Sequence, residues 1–207
     1  MAVENAEQAY AALVEADPGL RRLVDVEGMP DPFDFPDGGR TTGSNFAGMV
    51  LHIIAQQIST TVALILYDRL VQAAGGTPTP ESVLALDVDQ LRALGTSHSK
   101  ATYLRALAEA VHSGSLPIDD LDSLSDQQAV DALTRVKGVG PWSAEMFLIH
   151  QLRRPDILPA GDLGIRVAVQ HVDDLGAVPS IQRVRERGAV WAPYRTYAAA
   201  LLWRSLK

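Results

Sequence analysis

The feature that most constrains this chain is a four-residue reversal, Lys137-Gly138-Val139-Gly140, set between two helix-compatible runs. The first run ends at Val136, and Pro141 opens an apolar-periodic run on the other side. Glycines at 138 and 140 allow positive φ and let backbone N–H groups come close to whatever docks there. Pro141 suits the first position of a helix, where its missing donor costs nothing. The N–H groups left free at that helix start make an anion site, and a DNA phosphate is the obvious anion. Further on, Asp162 stands where another helix should begin. The expectation is a helix–hairpin–helix over residues 125–152 that grips backbone phosphate, with a carboxylate held nearby.

The rest of the chain reads as helix. Residues 5–16 are amphipathic and stop at Asp17-Pro18-Gly19, and residues 28–43, rich in Pro, Gly and Asp, read as an extended loop. Ser44 can cap a helix over residues 46–57, with Phe46, Met49, Val50, Ile53, Ile54 and Gln57 along one flank. Ser59 or Thr60 can cap the next, which runs to Ala74 and ends at Gly75-Gly76-Thr77-Pro78-Thr79-Pro80. Short helices follow at 80–86 and 87–94, then one at 98–113, a loop over 114–123, and a helix over 126–136 capped by Ser125. Beyond the hairpin, helices are expected near 141–152, 162–174, 180–190 and 193–206. No alternating run is bounded by hairpin turns, so strands are not expected. The fold class is all-α. At 207 residues the chain makes a single domain or two intimate lobes, long enough to bury a core.

No apolar run approaches the length needed to span a bilayer, and the N-terminal MAVENAEQAY has early acids and no basic segment. A membrane span and a secretory signal are therefore not expected. There is no cysteine, which excludes disulfides, thiolate zinc sites and cysteine-bound iron–sulfur clusters and fits a cytoplasmic location. The net charge of −7 argues against nucleic-acid binding if read alone. Its distribution argues the other way: residues 1–136 carry −11 and residues 137–207 carry +4. The plainer reading is an acidic cytosolic protein with uneven charge. If the basic part meets DNA, affinity should fall steeply with salt.

Several separated segments resemble one family. Gly138-Val139-Gly140-Pro141-Trp142-Ser143-Ala144 and Leu158-Pro159-Ala160-Gly161-Asp162-Leu163-Gly164-Ile165-Arg166 resemble the hairpin and catalytic aspartate of the helix–hairpin–helix DNA glycosylases, specifically the bacterial 3-methyladenine DNA glycosylase II branch. Ala55-Gln56-Gln57-Ile58-Ser59, and Pro193-Tyr194-Arg195-Thr196-Tyr197 leading to Trp203, are similar to further segments of that family. The resemblance covers residues 44–206. A lone hairpin occurs in many DNA-binding proteins, whereas hairpin, spaced Asp and QQIS in this order are specific. The resemblance implies a two-lobed helical fold with the active-site cleft between the lobes, in a compact form without the β-rich N-terminal domain of larger members. It also implies a monomer acting on double-stranded DNA with damaged bases, hydrolysing the N-glycosidic bond of flipped-out alkylated purines such as 3-methyladenine and 7-methylguanine. No cofactor is expected. Lack of cysteine separates the chain from relatives that carry an iron–sulfur cluster, and family analogy allows only a monovalent cation at the hairpin backbone.

Site residues follow from both lines of reasoning. Asp162 is a helix N-cap on its local sequence and the catalytic aspartate by resemblance. The two roles are compatible, because a helix N-terminus stabilises a carboxylate as the anion. A fixed anion stabilises the positive charge that grows on the sugar as the base departs, and it can also orient the attacking water. Trp142 stands where relatives that also cleave the strand carry a lysine nucleophile, and without an amine no Schiff base to the sugar can form. The expected enzyme is monofunctional and leaves an abasic site in an intact strand. Trp142 also lies on a stripe with Met146 and Ile149 that would serve as core, and a wall of the base pocket would use the same face, so the resemblance implies that Trp142 and Met146 line that pocket together with Trp203. Trp203, on the face of its helix opposite Tyr194, matches a pocket tryptophan that stacks on the flipped base, and an electron-rich ring suits cationic alkylpurines. Met146 departs from the family archetype, which has a tyrosine there. Gln57 matches the wedge that fills the gap left by the extruded nucleotide, with Gln56 in support, and Lys137, Gly138, Val139 and Gly140 form the DNA-binding hairpin. His52, His98, His112, His150 and His171 show no metal-ligand spacing and read as surface or packing residues. GTSHSK at 95–100 reads as a capped helix start. Two other readings stay open: a non-catalytic helix–hairpin–helix DNA-binding module, and a glycosylase for another damaged base.

Overall fold

The computed structural model describes residues 2–34, 36–41 and 43–206, with side chains from residue 6 onward. Among the described residues every regular element is helical. In chain order they are α1 Ala2–Ala16, α2 Pro18–Glu27, α3 Asn45–Ala55, α4 Thr60–Ala74, α5 Pro80–Leu84, α6 Val88–Ala93, α7 His98–His112, α8 Asp126–Thr134, α9 Pro141–His150, α10 Leu163–Val172, α11 Ile181–Arg187 and α12 Arg195–Arg204. Short 3-10 segments cover Ile118–Ser123 and Gly188–Trp191. The helix starts obey local chemistry. Ser44, Ser59, Ser97, Ser125 and Ser180 each accept a backbone N–H from the first turn they precede. Thr79 with Ser82, Asp87 with Gln90, and Ser125 with Gln128 complete reciprocal capping boxes.

Two expectations are corrected. Asp17-Pro18-Gly19 ends α1, but it also starts α2, which the sequence reading did not anticipate. The Asp17 side chain caps α2 by accepting from Gly19 N–H at 2.8 Å, and Pro18 takes the first helical position. The loop expected over 114–123 contains the 3-10 turn Ile118–Ser123, with Ile118 and Leu121 buried.

The chain divides into two compact units. One comprises Phe35–Leu152 and is organised around α3, which packs against α4, α7, α9 and the Ile118–Ser123 segment. Every residue from Phe46 to Ile54 is buried, not only the flank expected from periodicity, because neighbours surround the helix. Gly48 is where Gln151 presses against α3: a Cβ there would overlap the Gln151 side chain. Gln151 in turn donates from Nε2 to Thr41 Oγ1 at 3.1 Å. Deep in this unit the rings of His52 and His150 stack at 5.6 Å between centroids and 21° between planes.

Burial, reinforced by the neighbouring His150, depresses the His52 pKa from 6.5 to about 3; burial likewise lowers that of His150 to about 4, against a weaker opposing pull from Asp37. The folded protein thus keeps both rings neutral where the unfolded chain protonates them. Stability contributed above pH 6.5 is lost as the pH falls toward 4. His52 alone should cost about 2 kcal/mol at pH 5. Thermal melts at pH 7.5 and pH 5 check this, and His52→Phe should flatten the pH dependence. An equal slope in that variant would refute it.

The other unit comprises Met1–Asp34 and Arg153–Lys207. Its core joins Tyr10, Leu13 and Leu20 to Ile165, Val169, Val184, Trp191 and one wall of α12, from Tyr197 to Leu202. Tyr197 meets Tyr10, Phe33 and Tyr194 edge-on at 5.6, 5.7 and 6.0 Å. Tyr10 donates its hydroxyl to the Pro30 carbonyl at 2.6 Å, tying the 28–34 stretch to α1.

Candidate active site

The hairpin forms as expected, though its two glycines have different reasons to be there. Gly138 has φ +91°, and a Cβ at that position would run into the Tyr103 ring of α7, so both backbone and packing require glycine. Gly140 has an ordinary φ of −91°, and a Cβ there would meet nothing within 4 Å. This corrects the expectation that both glycines serve a positive φ. The absent side chain at 140 leaves open space directly at the start of α9, where a ligand's oxygens can approach the backbone. Val136 and Val139 are buried and anchor the turn, joined by a Val139 N–H to Val136 carbonyl bond of 3.0 Å, and Lys137 stays exposed. Gly140 caps α9 without a side chain and Pro141 opens it, so the first-turn N–H groups are not taken by a capping side chain.

The QQIS segment lies in the same unit as the hairpin. α3 stops at Ala55, two residues short of the expected end, and Gln57 follows in the left-handed region at φ +57° with its side chain exposed. Gln56 does something different from its neighbour. Its Nε2 donates to the Gly138 carbonyl at 2.9 Å and to Ser143 Oγ at 3.0 Å. Ser97 caps α7 as the GTSHSK reading expected, and Lys100 donates Nζ to the Ile54 carbonyl at 2.8 Å, a cation on the last turn of α3. Burial lowers the Lys100 pKa.

Asp162 lies in the other unit, as the N-cap of α10. Its Oδ1 accepts the Ile165 N–H at 3.0 Å and the indole Nε1–H of Trp203 at 3.0 Å. Trp203 is half-buried near the end of α12, so one helix reaches the carboxylate from its C-terminal end. The N-terminal end of the same helix clamps the strand of chain that leads to Asp162. Arg195 makes a two-pronged ion pair with Asp156 at 2.7 Å on each arm. Buried Thr196 donates Oγ1–H to the Arg154 carbonyl at 2.7 Å and accepts the Ile157 N–H at 2.9 Å. Arg195 and Thr196 of the PYRTY segment therefore fix the approach to Asp162.

Gly164 is a site residue that sequence reasoning missed. A Cβ there would lie 3.0 Å from Asp162 Oδ1, close enough to push the carboxylate by a few tenths of an ångström, and in ordinary contact with Trp203 Cδ1 at 3.4 Å. The signal was present as the Gly in Asp162-Leu163-Gly164, yet nothing local says what it must avoid. Trp142 is half-buried in the first turn of α9, while Met146 is 5% exposed and Ile149 fully buried. Both members of the core stripe are thus packed, and Trp142 is the residue of the three with surface to offer. Among the described residues, no group of three or more His, Asp or Glu side chains could hold a metal ion. Among the described residues, no helix is long and apolar enough to cross a membrane.

Residues 50–193 match the HhH-GPD superfamily of base excision DNA repair proteins. The chain is 30% identical to DNA-3-methyladenine glycosylase 1 of Schizosaccharomyces pombe, across 99% of this chain and 92% of that protein. It is 31% identical to the putative DNA-3-methyladenine glycosylase YfjP of Bacillus subtilis, across 77% of this chain and 58% of that one. Among solved structures, the S. pombe 3-methyladenine DNA glycosylase in complex with abasic DNA superposes with a TM-score of 0.85 at 30% identity, covering 96% of both chains.

Proposed function

The chain belongs to the HhH-GPD superfamily of base excision DNA repair proteins, in its 3-methyladenine glycosylase branch, and from that premise we propose that it is a monofunctional glycosylase for alkylated purines. One observation carries the reading. Asp162 is a carboxylate oriented by a helix N-terminus, accepting the Ile165 N–H and the Trp203 indole N–H, with a glycine beside it.

Alkylation at N3 or N7 puts formal positive charge on the purine, so the base is already a good leaving group. The C1′–N9 bond breaks with its electron pair going to the base, which departs neutral. Positive charge appears on the sugar, and the Asp162 carboxylate stabilises it electrostatically. Water then adds at C1′ and gives up its proton, with Asp162 orienting the attack. The products are a free base and an abasic site. Because Trp142 and not a lysine follows the hairpin, no amine attacks C1′ and the strand stays whole. The N–H groups at the start of α9 bind backbone phosphate, helped by Lys137. A DNA-binding module without catalysis would need neither the held carboxylate nor the indole.

The test is release of bases from methylated duplex DNA, resolved by chromatography, with strand integrity read on a denaturing gel. Free 3-methyladenine or 7-methylguanine is expected, with nicks appearing only after alkali or an added lyase. Binding without base release would overturn the enzymatic reading. Nicking by the protein alone would overturn the monofunctional one.

A further inference from the structure

Gln56 is not explained by the chemistry above. It follows the last residue of α3 and precedes Gln57, whose backbone is held at φ +57°. Instead of turning outward, its side-chain amide spans the hairpin, with one N–H on the Gly138 carbonyl inside the turn at 2.9 Å. The second goes to Ser143 Oγ in the first turn of α9 at 3.0 Å. A left-handed conformation at a non-glycine residue costs free energy and persists only where the surroundings hold it. Here the surroundings are specific. Lys100 holds the Ile54 carbonyl on one side of the junction, Gln56 holds the hairpin on the other, and Tyr103 backs Gly138.

We propose that Gln56 is a positioning residue that couples the hairpin to Gln57. A phosphate seated at the start of α9 and the Gln57 side chain entering the duplex are then set in one fixed register. The Gly138 carbonyl can only accept, so the residue at 56 must supply N–H; two donors on one terminal nitrogen, at this side-chain length, are the property of glutamine. Leucine matches its bulk and has no donor. Glutamate would set a carboxylate oxygen against the Gly138 carbonyl. The coupling rests on the glycosylase function and on Gln57 filling the vacated stack.

The experiment compares wild type, Gln56→Leu, Gln57→Ala and the double variant on duplexes carrying one alkylated purine beside 2-aminopurine. Three quantities are read: affinity for abasic duplex, the 2-aminopurine fluorescence rise that reports unstacking, and the single-turnover rate of base release. For Gln56→Leu, affinity should stay within about threefold, since phosphate contacts dominate it. Its fluorescence rise should shrink to the Gln57→Ala level, and base release should slow about 10- to 100-fold through misplacement alone. The double variant should be no slower than Gln57→Ala, because both substitutions break one device. Additive losses in the double variant, or an undiminished fluorescence rise in Gln56→Leu, would overturn the coupling. Should Gln56→Leu melt early, Ser143→Ala removes one of the two acceptors, and an unchanged fluorescence rise there overturns it equally. A wild type that releases no base defeats the glycosylase reading itself, while the 2-aminopurine rise of wild type against Gln56→Leu still decides the coupling.

Discussion

Asp162→Asn should fold, bind damaged duplex and release alkylated purine on the order of 10³-fold more slowly than wild type. Asparagine caps helices as well as aspartate. Its Oδ1 can still accept from Ile165 N–H and the Trp203 indole, as the native carboxylate does. The substitution therefore removes charge with little change in shape. A thousandfold is about 4 kcal/mol of transition-state stabilisation, which is reasonable for a fixed anion beside a developing cation. Single-turnover base release and a melting curve make the check. A variant with more than a tenth of the wild-type rate and an unchanged melt would remove Asp162 from the catalytic role.

The largest effect on stability should come from Asp17. It is 2% exposed and lies at the centre of a buried polar cluster in the unit that also carries Asp162. Its Oδ2 accepts the Trp191 indole N–H at 2.7 Å and the Arg187 guanidinium at 2.6 Å, while Oδ1 caps α2 through Gly19. Arg187 is shared with Asp173, to which Nε donates at 2.8 Å. Asp17→Ala would leave a half-buried guanidinium half-compensated and a buried indole N–H without its acceptor, and would uncap a helix. Breaking such a pair costs about 3–5 kcal/mol, which for a chain of this size lowers Tm by about 10 °C. Asp17→Asn should rescue little, since its amide N–H groups would face donors. Burial pushes the Asp17 pKa up, but hydrogen bonds from Trp191 and Arg187, with the guanidinium charge, hold it below the ordinary value. Its contribution is therefore present above pH 3.8 and lost only as the pH falls through that lower value. The histidine pair acts at higher pH, so melts at pH 5 and pH 3 separate the two devices. An Asp17→Ala melt within 2 °C of wild type would refute the cluster's importance.

What was legible in the sequence was mostly local. Ser44, Ser59, Ser125 and Asp162 were legible as caps because a capping side chain bonds within its own first turn. The hairpin was legible because Gly-Val-Gly-Pro has few other uses between two helices. α2 was missed for a related reason: Pro18 and Gly19 read as breakers, and the same residues also suit a helix start. Periodicity expected one buried flank of α3, whereas the structure buries it all round. A pattern of apolar residues gives the direction of one neighbour and does not count how many there are.

The sequence by itself determined the all-helical class, the phosphate-ready turn, the carboxylate at a helix start and the lack of a lysine directly after the hairpin. Each of these depends on residues within a few positions of one another. Only the tertiary structure decided that Trp203 donates to Asp162, that Arg195 and Thr196 hold the chain leading to it, and that Gln56 turns into the hairpin instead of outward. Those contacts join side chains far apart along the chain. Which of many equivalent N–H donors reaches a given acceptor is settled by how whole helices pack, and a single sequence carries no local record of it.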